Sequence, residues 1–97
     1  TEVVSVFSML ADKDVKSVTE LLKDSIQMWK IAALTVPRAA PIEQLDQALQ
    51  GQHVQHFDSV KLAFKSALDE TKNNQLILVC GSFHTLEAVW EYLEECQ

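Results

Sequence analysis

The sequence predicts an α/β domain built on a mostly parallel sheet, and three observations lead there. Short apolar runs alternate with stretches of 3.6-residue periodicity along the whole chain. Two of those runs, residues 3–9 and 76–80, break abruptly into a polar turn and then a helical pattern, as buried parallel strands feeding helices do. No linker, repeat or low-complexity segment interrupts the alternation, so residues 1–97 read as one domain.

The elements follow in order. Residues 3–9 are apolar apart from Ser5 and Ser8 and read as a buried strand. A helix comes next, with Asp12 or Asp14 available to cap it and Val15, Val18, Leu21 and Leu22 as its apolar stripe. A second strand is expected over residues 26–34, followed by a loop over 35–41 stiffened by Pro37 and Pro41. Pro41 suits the first turn of the next helix, whose face is Ile42, Leu45, Ala48 and Leu49 and whose stop is Gly51. Residues 53–57 form a short third strand. Asp58 or Ser59 caps a third helix with Val60, Ala63, Phe64, Ala67 and Leu68 on one face. After a turn at 72–75 come the strand over 76–80 and a last helix from about His84. Its inward face is read as Leu86, Val89, Trp90 and Leu93; Trp29, Phe57, Phe64 and Trp90 are assigned to the core.

Composition narrows the function classes. A formal charge of -6 with only eight Lys and Arg, scattered along the chain, argues against a nucleic-acid surface. No apolar run approaches the ~20 residues of a membrane helix. With two glycines in all, Gly51 and Gly81, neither a GxGxxG nor a GxxxxGK[ST] loop exists here. Cys80 and Cys96 form no CxxC pair and read as free thiols in a reducing, cytoplasmic setting. His53, His56 and His84 lack the carboxylate or Cys pattern of a metal site, and no metal is expected.

The chemistry concentrates where strands give way to helices. Lys13, in Asp12-Lys13-Asp14, reads either as a solvated lysine or as a point cation for a carboxylate or phosphate. Ser82 reads as a helix N-cap whose hydroxyl and neighbouring N–H groups also lie near an anion site. One ligand site at the carboxyl edge of an open sheet would unite the two. Arg38 is a surface residue by default, yet it sits in a stiff proline-flanked loop.

The segments Met9-Leu10-Ala11-Asp12-Lys13-Asp14, Pro37-Arg38-Ala39 and Leu78-Val79-Cys80-Gly81-Ser82-Phe83-His84-Thr85, in that order and at that spacing, resemble the C-terminal domain of bacterial bifunctional dihydrofolate synthase/folylpolyglutamate synthases, within the Mur ligase superfamily. One departure is Ser8, where the family commonly has glycine before Met-Leu. The resemblance implies a Rossmann-like three-layer domain and an ATP-dependent amide ligation. In that reaction a dihydropteroate or folate carboxylate becomes an acyl phosphate and is attacked by the amine of L-glutamate. It implies glutamate-binding roles for Lys13 and Ser82, then for Phe83 and His84, with Asp12 and Arg38 as further candidates. It places ATP and Mg²⁺ with an N-terminal ATPase domain of the full-length enzyme, so none is expected on residues 1–97 alone, and a fragment of this kind is expected to be inactive. It also implies that this domain's first strand and helix precede Thr1. Two other readings stand beside it: a stand-alone doubly wound module that binds a nucleotide or phospho-ligand without catalysis, and the C-terminal domain of a cell-wall Mur ligase.

Overall fold

The computed structural model describes residues 2–96. Four strands and four helices alternate: β1 (Glu2–Ser8), α1 (Val15–Leu22), β2 (Met28–Ala32), α2 (Ile42–Ala48), β3 (Val54–Phe57), α3 (Val60–Glu70), β4 (Gln75–Gly81) and α4 (Phe83–Glu95). The strands form one sheet in the order β3-β2-β1-β4, and all three pairings are parallel. Because the strands run the same way, every strand-to-helix turn emerges at one edge, the carboxyl edge. β1 and β4 are direct neighbours, in register from Glu2 opposite Gln75 to Ser8 opposite Gly81.

Side chains alternate between the two faces of the sheet and build a core on each. On one face Phe7, Trp29 and Ile31 pack with Val15 of α1 and with Leu45 and Leu49 around α2. Phe7 and Trp29 meet edge to face at 5.3 Å. On the other face Val4, Val6 and Ala32 pack against Val60, Ala63, Phe64 and Ala67 of α3 and Val89 of α4. The result is the three-layer α/β arrangement expected from the sequence. The caps are equally local. Asp14 caps α1 by accepting from the Ser17 N–H, and Ser59 caps α3 by accepting from the Leu62 N–H. Pro41 stands at the N-cap of α2, one residue before the first turn, and Gly51 takes a positive φ of 85° just beyond that helix.

Several expectations are corrected. The second strand is shorter than residues 26–34, because Ile26 is buried ahead of it and Ala33 already belongs to the following loop. On α1 the buried partner of Val15 is Thr19, whose hydroxyl donates to the carbonyls of Lys16 and Ala48, while Leu21 is exposed. Leu68 on α3 is also exposed.

The largest correction concerns the last strand and helix. β4 is an edge strand, and α1 and α2 cover the sheet over its other strands, so Leu76 and Leu78 stay exposed. α4 buries Thr85 and Val89, and the stripe beside them, Leu86, Trp90 and Leu93, lies open to solvent. Trp90 is 65% exposed and is not core. A lone helix over an edge strand has only a narrow face to bury. Lys30, inside the expected second strand, is fully buried. Its Nζ donates to Gln55 Oε1 (2.6 Å), Ser66 Oγ (3.0 Å) and Glu70 Oε2 (2.7 Å), tying β2 to β3 and α3. Both cysteines are free thiols; burial pushes that of Cys80 above its ordinary pKa. Among the described residues no helix is long and apolar enough to cross a membrane.

Candidate functional site

Three segments singled out in the sequence meet at the carboxyl edge, and hydrogen bonds join them. The first leaves β1 through Met9 and Leu10. The loop before α2 comes alongside it, with the Ala11 N–H donating to the Arg38 carbonyl (2.7 Å) and the Ala40 N–H donating to the Met9 carbonyl (2.9 Å). Leu10 and Ala39 form an isolated antiparallel bridge between these bonds. The third segment, the turn from β4 into α4, reaches β1 through Thr85, whose hydroxyl donates to the Ser8 carbonyl (2.9 Å).

That last contact depends on Gly81. Its φ is +126°, and a Cβ there would lie 1.7 Å from the Ser8 carbonyl oxygen. Only glycine lets the end of β4 lie this close to the end of β1. Ser82 then caps α4 in a capping box with Thr85. Ser82 Oγ accepts from the Thr85 N–H (3.3 Å), and Thr85 Oγ1 accepts from the Ser82 N–H (3.4 Å). The Thr85 proton is committed to Ser8, so the Ser82 proton can point to Thr85 Oγ1 at 3.3 Å or outward to an anion. The Phe83 and His84 N–H groups open the first turn of α4, where no intrahelical acceptor exists, and the helix dipole there favours negative charge. Thr85 was missed in the sequence. The available signal was its place three residues after Ser82, a capping box with threonine at its far end.

Lys13 is the cation left over in its own segment. Asp14 is occupied as the α1 cap, where the Ser17 hydroxyl and then the Ser17 N–H hold its carboxyl below the ordinary range. Asp12 is paired with Arg38 (Nη1 to Oδ2, 3.0 Å). Lys13 itself forms no ion pair among the described residues. It is exposed on a cleft of about 610 Å³ between α1 and α2, with Lys16, Glu20, Gln44 and Gln47. His84 lines a separate cavity of about 180 Å³ on the opposite face, with Ser59, Lys61, Glu87 and Glu91. Phe83 is 79% exposed. The structure therefore brings the Lys13, Arg38 and Ser82 segments together at one edge and sets His84 apart from the Lys13 cleft. No group of three or more metal-ligating side chains occurs among the described residues.

Comparison with known proteins gives the family and the fold. Residues 1–83 match the family model described as Mur ligase, glutamate ligase domain. The dihydrofolate synthase/folylpolyglutamate synthase of Escherichia coli (strain K12) is 39% identical over 92 residues, which is 95% of this chain and 21% of that protein. The solved structure of E. coli FolC in complex with DHPP and ADP superposes with a TM-score of 0.92 at 38% identity, covering 99% of this chain and 23% of that one. A bifunctional folylpolyglutamate synthase/dihydrofolate synthase with Mn, AMPPNP and L-glutamate bound superposes with a TM-score of 0.88 at 32% identity, covering 96% and 22%. The chain spans about a fifth of the length of these relatives.

Proposed function

This chain belongs to the Mur ligase family, as its glutamate ligase domain, and from that premise we propose that it is the amino-acid-binding half of an ATP-dependent ligase that adds L-glutamate to dihydropteroate or folate. Residues 1–97 are one C-terminal domain of that enzyme, and the activity requires the N-terminal ATPase domain. The observation that carries the reading is the knot of three segments at the carboxyl edge, where Lys13, without an ion pair among the described residues, and the outward-capable Ser82 hydroxyl lie in the turns that follow the neighbouring strands β1 and β4.

In the ligation the carboxylate of the pteroate or folate accepts the γ-phosphoryl group of ATP and ADP leaves. The glutamate amine then attacks the acyl carbon; the C–N bond forms, the C–O bond to phosphate breaks, and the amine gives up a proton. Lys13 and Ser82 take part by holding a glutamate carboxylate, Lys13 as a charge and Ser82 as a hydroxyl donor. That leaves the amine as the free end of the amino acid. Asp12, Arg38, Phe83 and His84 are the remaining residues of this region. Triphosphate and Mg²⁺, which supplies charge neutralisation for phosphoryl transfer, belong to the other domain: this chain has two glycines and no phosphate loop. The ligands of the solved relatives, ADP in one and AMPPNP, Mn and L-glutamate in another, support this substrate set. The free thiols and the need for ATP suit the cytoplasm.

Steady-state kinetics of Lys13→Ala in the full-length ligase test the reading. The glutamate KM rises at least tenfold while the ATP KM stays within about twofold. An unchanged glutamate KM removes Lys13 from the site.

A further inference from the structure

We propose that the Asp12–Arg38 ion pair is a positioning clasp, which sets Lys13 at the carboxyl edge and withdraws Asp12 from competition for its ammonium; the inference rests on the glutamate-binding reading of Lys13. Arg38 was a candidate ligand contact in the sequence, but the structure gives it a different occupation. Its guanidinium folds back onto Asp12 at 3.0 Å, and its own carbonyl accepts the Ala11 N–H at 2.7 Å. The same stretch is gripped again by the Ala40 N–H on the Met9 carbonyl and by Gln44 Nε2, 3.4 Å from the Ala11 carbonyl. Main-chain and side-chain bonds thus converge on the two residues just ahead of Lys13.

Charge gives the clasp its second effect. Asp12 and Asp14 flank Lys13, and each would otherwise attract its ammonium and repel an incoming carboxylate. Ser17 occupies Asp14 and Arg38 occupies Asp12, so Lys13 faces the cleft without an ion-pair partner among the described residues. Both members of the pair are largely exposed, Arg38 at 71% and Asp12 at 50%. Exposed pairs of this kind contribute little to global stability. The clasp therefore acts on the placement and charge of Lys13 and leaves the fold nearly unaffected, which makes it separable by experiment from a structural role. Arg38 and Asp12 are positioning residues; neither touches the reacting atoms.

The test uses the full-length ligase with Asp12→Ala, Arg38→Gln, Lys13→Ala and the exchanged pair Asp12→Arg/Arg38→Asp, measuring glutamate KM, kcat and thermal midpoint for each. Arg38→Gln, which frees Asp12, raises the glutamate KM by roughly two- to fivefold, the range an exposed ion pair supports. Asp12→Ala, which removes the competitor along with the pair, raises it less, with kcat and thermal midpoint nearly constant in both. The exchanged pair returns the KM to within about twofold of the parent. A glutamate KM that is unchanged or lower in Arg38→Gln overturns the clasp, since freeing Asp12 to compete for the Lys13 ammonium would then cost nothing. A KM in the exchanged pair as high as in Arg38→Gln also overturns it, because Arg38 would then act by touching substrate. Lys13→Ala separates the two levels. If it leaves the glutamate KM unchanged, the underlying reading fails and takes the clasp with it. If it raises that KM while Arg38→Gln does not, only the clasp fails.

Discussion

Replacing Gly81 with alanine perturbs the point where β4, α4 and β1 converge, and the structure supplies its cost. A Cβ at that position would sit 1.7 Å from the Ser8 carbonyl oxygen and 2.8 Å from the Ser8 carbonyl carbon. Real Cβ contacts essentially never fall below 3.0 Å, so the strands must part by at least 1.3 Å, the difference between 3.0 and 1.7 Å. The φ of +126° adds about 1–3 kcal/mol for a side-chain-bearing residue. Parting the strand ends also loosens the Thr85-to-Ser8 bond and the last ladder bonds of β1 and β4, each worth about 0.5–1.5 kcal/mol. Together these reach roughly 3–5 kcal/mol, against about 5–15 kcal/mol for a domain of ordinary stability. Gly51 is the internal control. It also has positive φ, +85°, but nothing lies within 4 Å of its Cβ position, so Gly51→Ala costs only about 1–2 kcal/mol. Urea unfolding followed by far-UV circular dichroism compares the two. With a slope near 1–1.5 kcal/mol/M for this size, Gly81→Ala lowers the midpoint by about 2–5 M or abolishes the transition. If Gly81→Ala loses no more than Gly51→Ala, the close approach of β4 to β1 is wrong.

Two further outcomes follow from buried groups. The Ser8 hydroxyl is fully buried and has no hydrogen-bond partner among the described residues. Ser8→Ala removes an orphaned polar group and leaves stability unchanged or raises it by up to about 1 kcal/mol; a loss of more than 1 kcal/mol in a thermal melt would mean the hydroxyl has a partner. Lys30 holds the Glu70 carboxyl below the ordinary range, first by hydrogen bond and then by charge. A depressed folded pKa stabilises above the unfolded value and is lost as pH falls through the folded value. The stability advantage over Glu70→Gln is therefore present at neutral pH and shrinks below about pH 4.3, the ordinary glutamate value. Urea midpoints at pH 7 and pH 3 measure it, and an equal advantage at both would contradict the Lys30 pairing.

How much of this was legible in the sequence depended on the range of the interaction. Element order, the Ser59 and Ser82 caps and the Gly51 stop are local grammar, and each appeared where its residue type allowed. The parallel sheet followed from apolar runs separated by helical periods. Strand order did not, and that gap misled the reading of α4. Trp90 and Leu86 look like core on a helical wheel and are exposed because β4 is an edge strand. Lys30 looked unremarkable because its partners Gln55, Ser66 and Glu70 lie 25 to 40 residues further on. Lys13 and Ser82 were legible as candidates from the turns they occupy. The Asp12–Arg38 pair, 26 residues apart, became visible only when the loop before α2 was seen lying along the end of β1.

The most direct measurement of the central claim is a crystal structure of the full-length ligase with L-glutamate and a non-hydrolysable ATP analogue bound. The account predicts a glutamate carboxylate within about 2.7–3.2 Å of Lys13 Nζ and of Ser82 Oγ, with the amine directed away from both. Glutamate bound with neither Lys13 nor Ser82 in contact would contradict it.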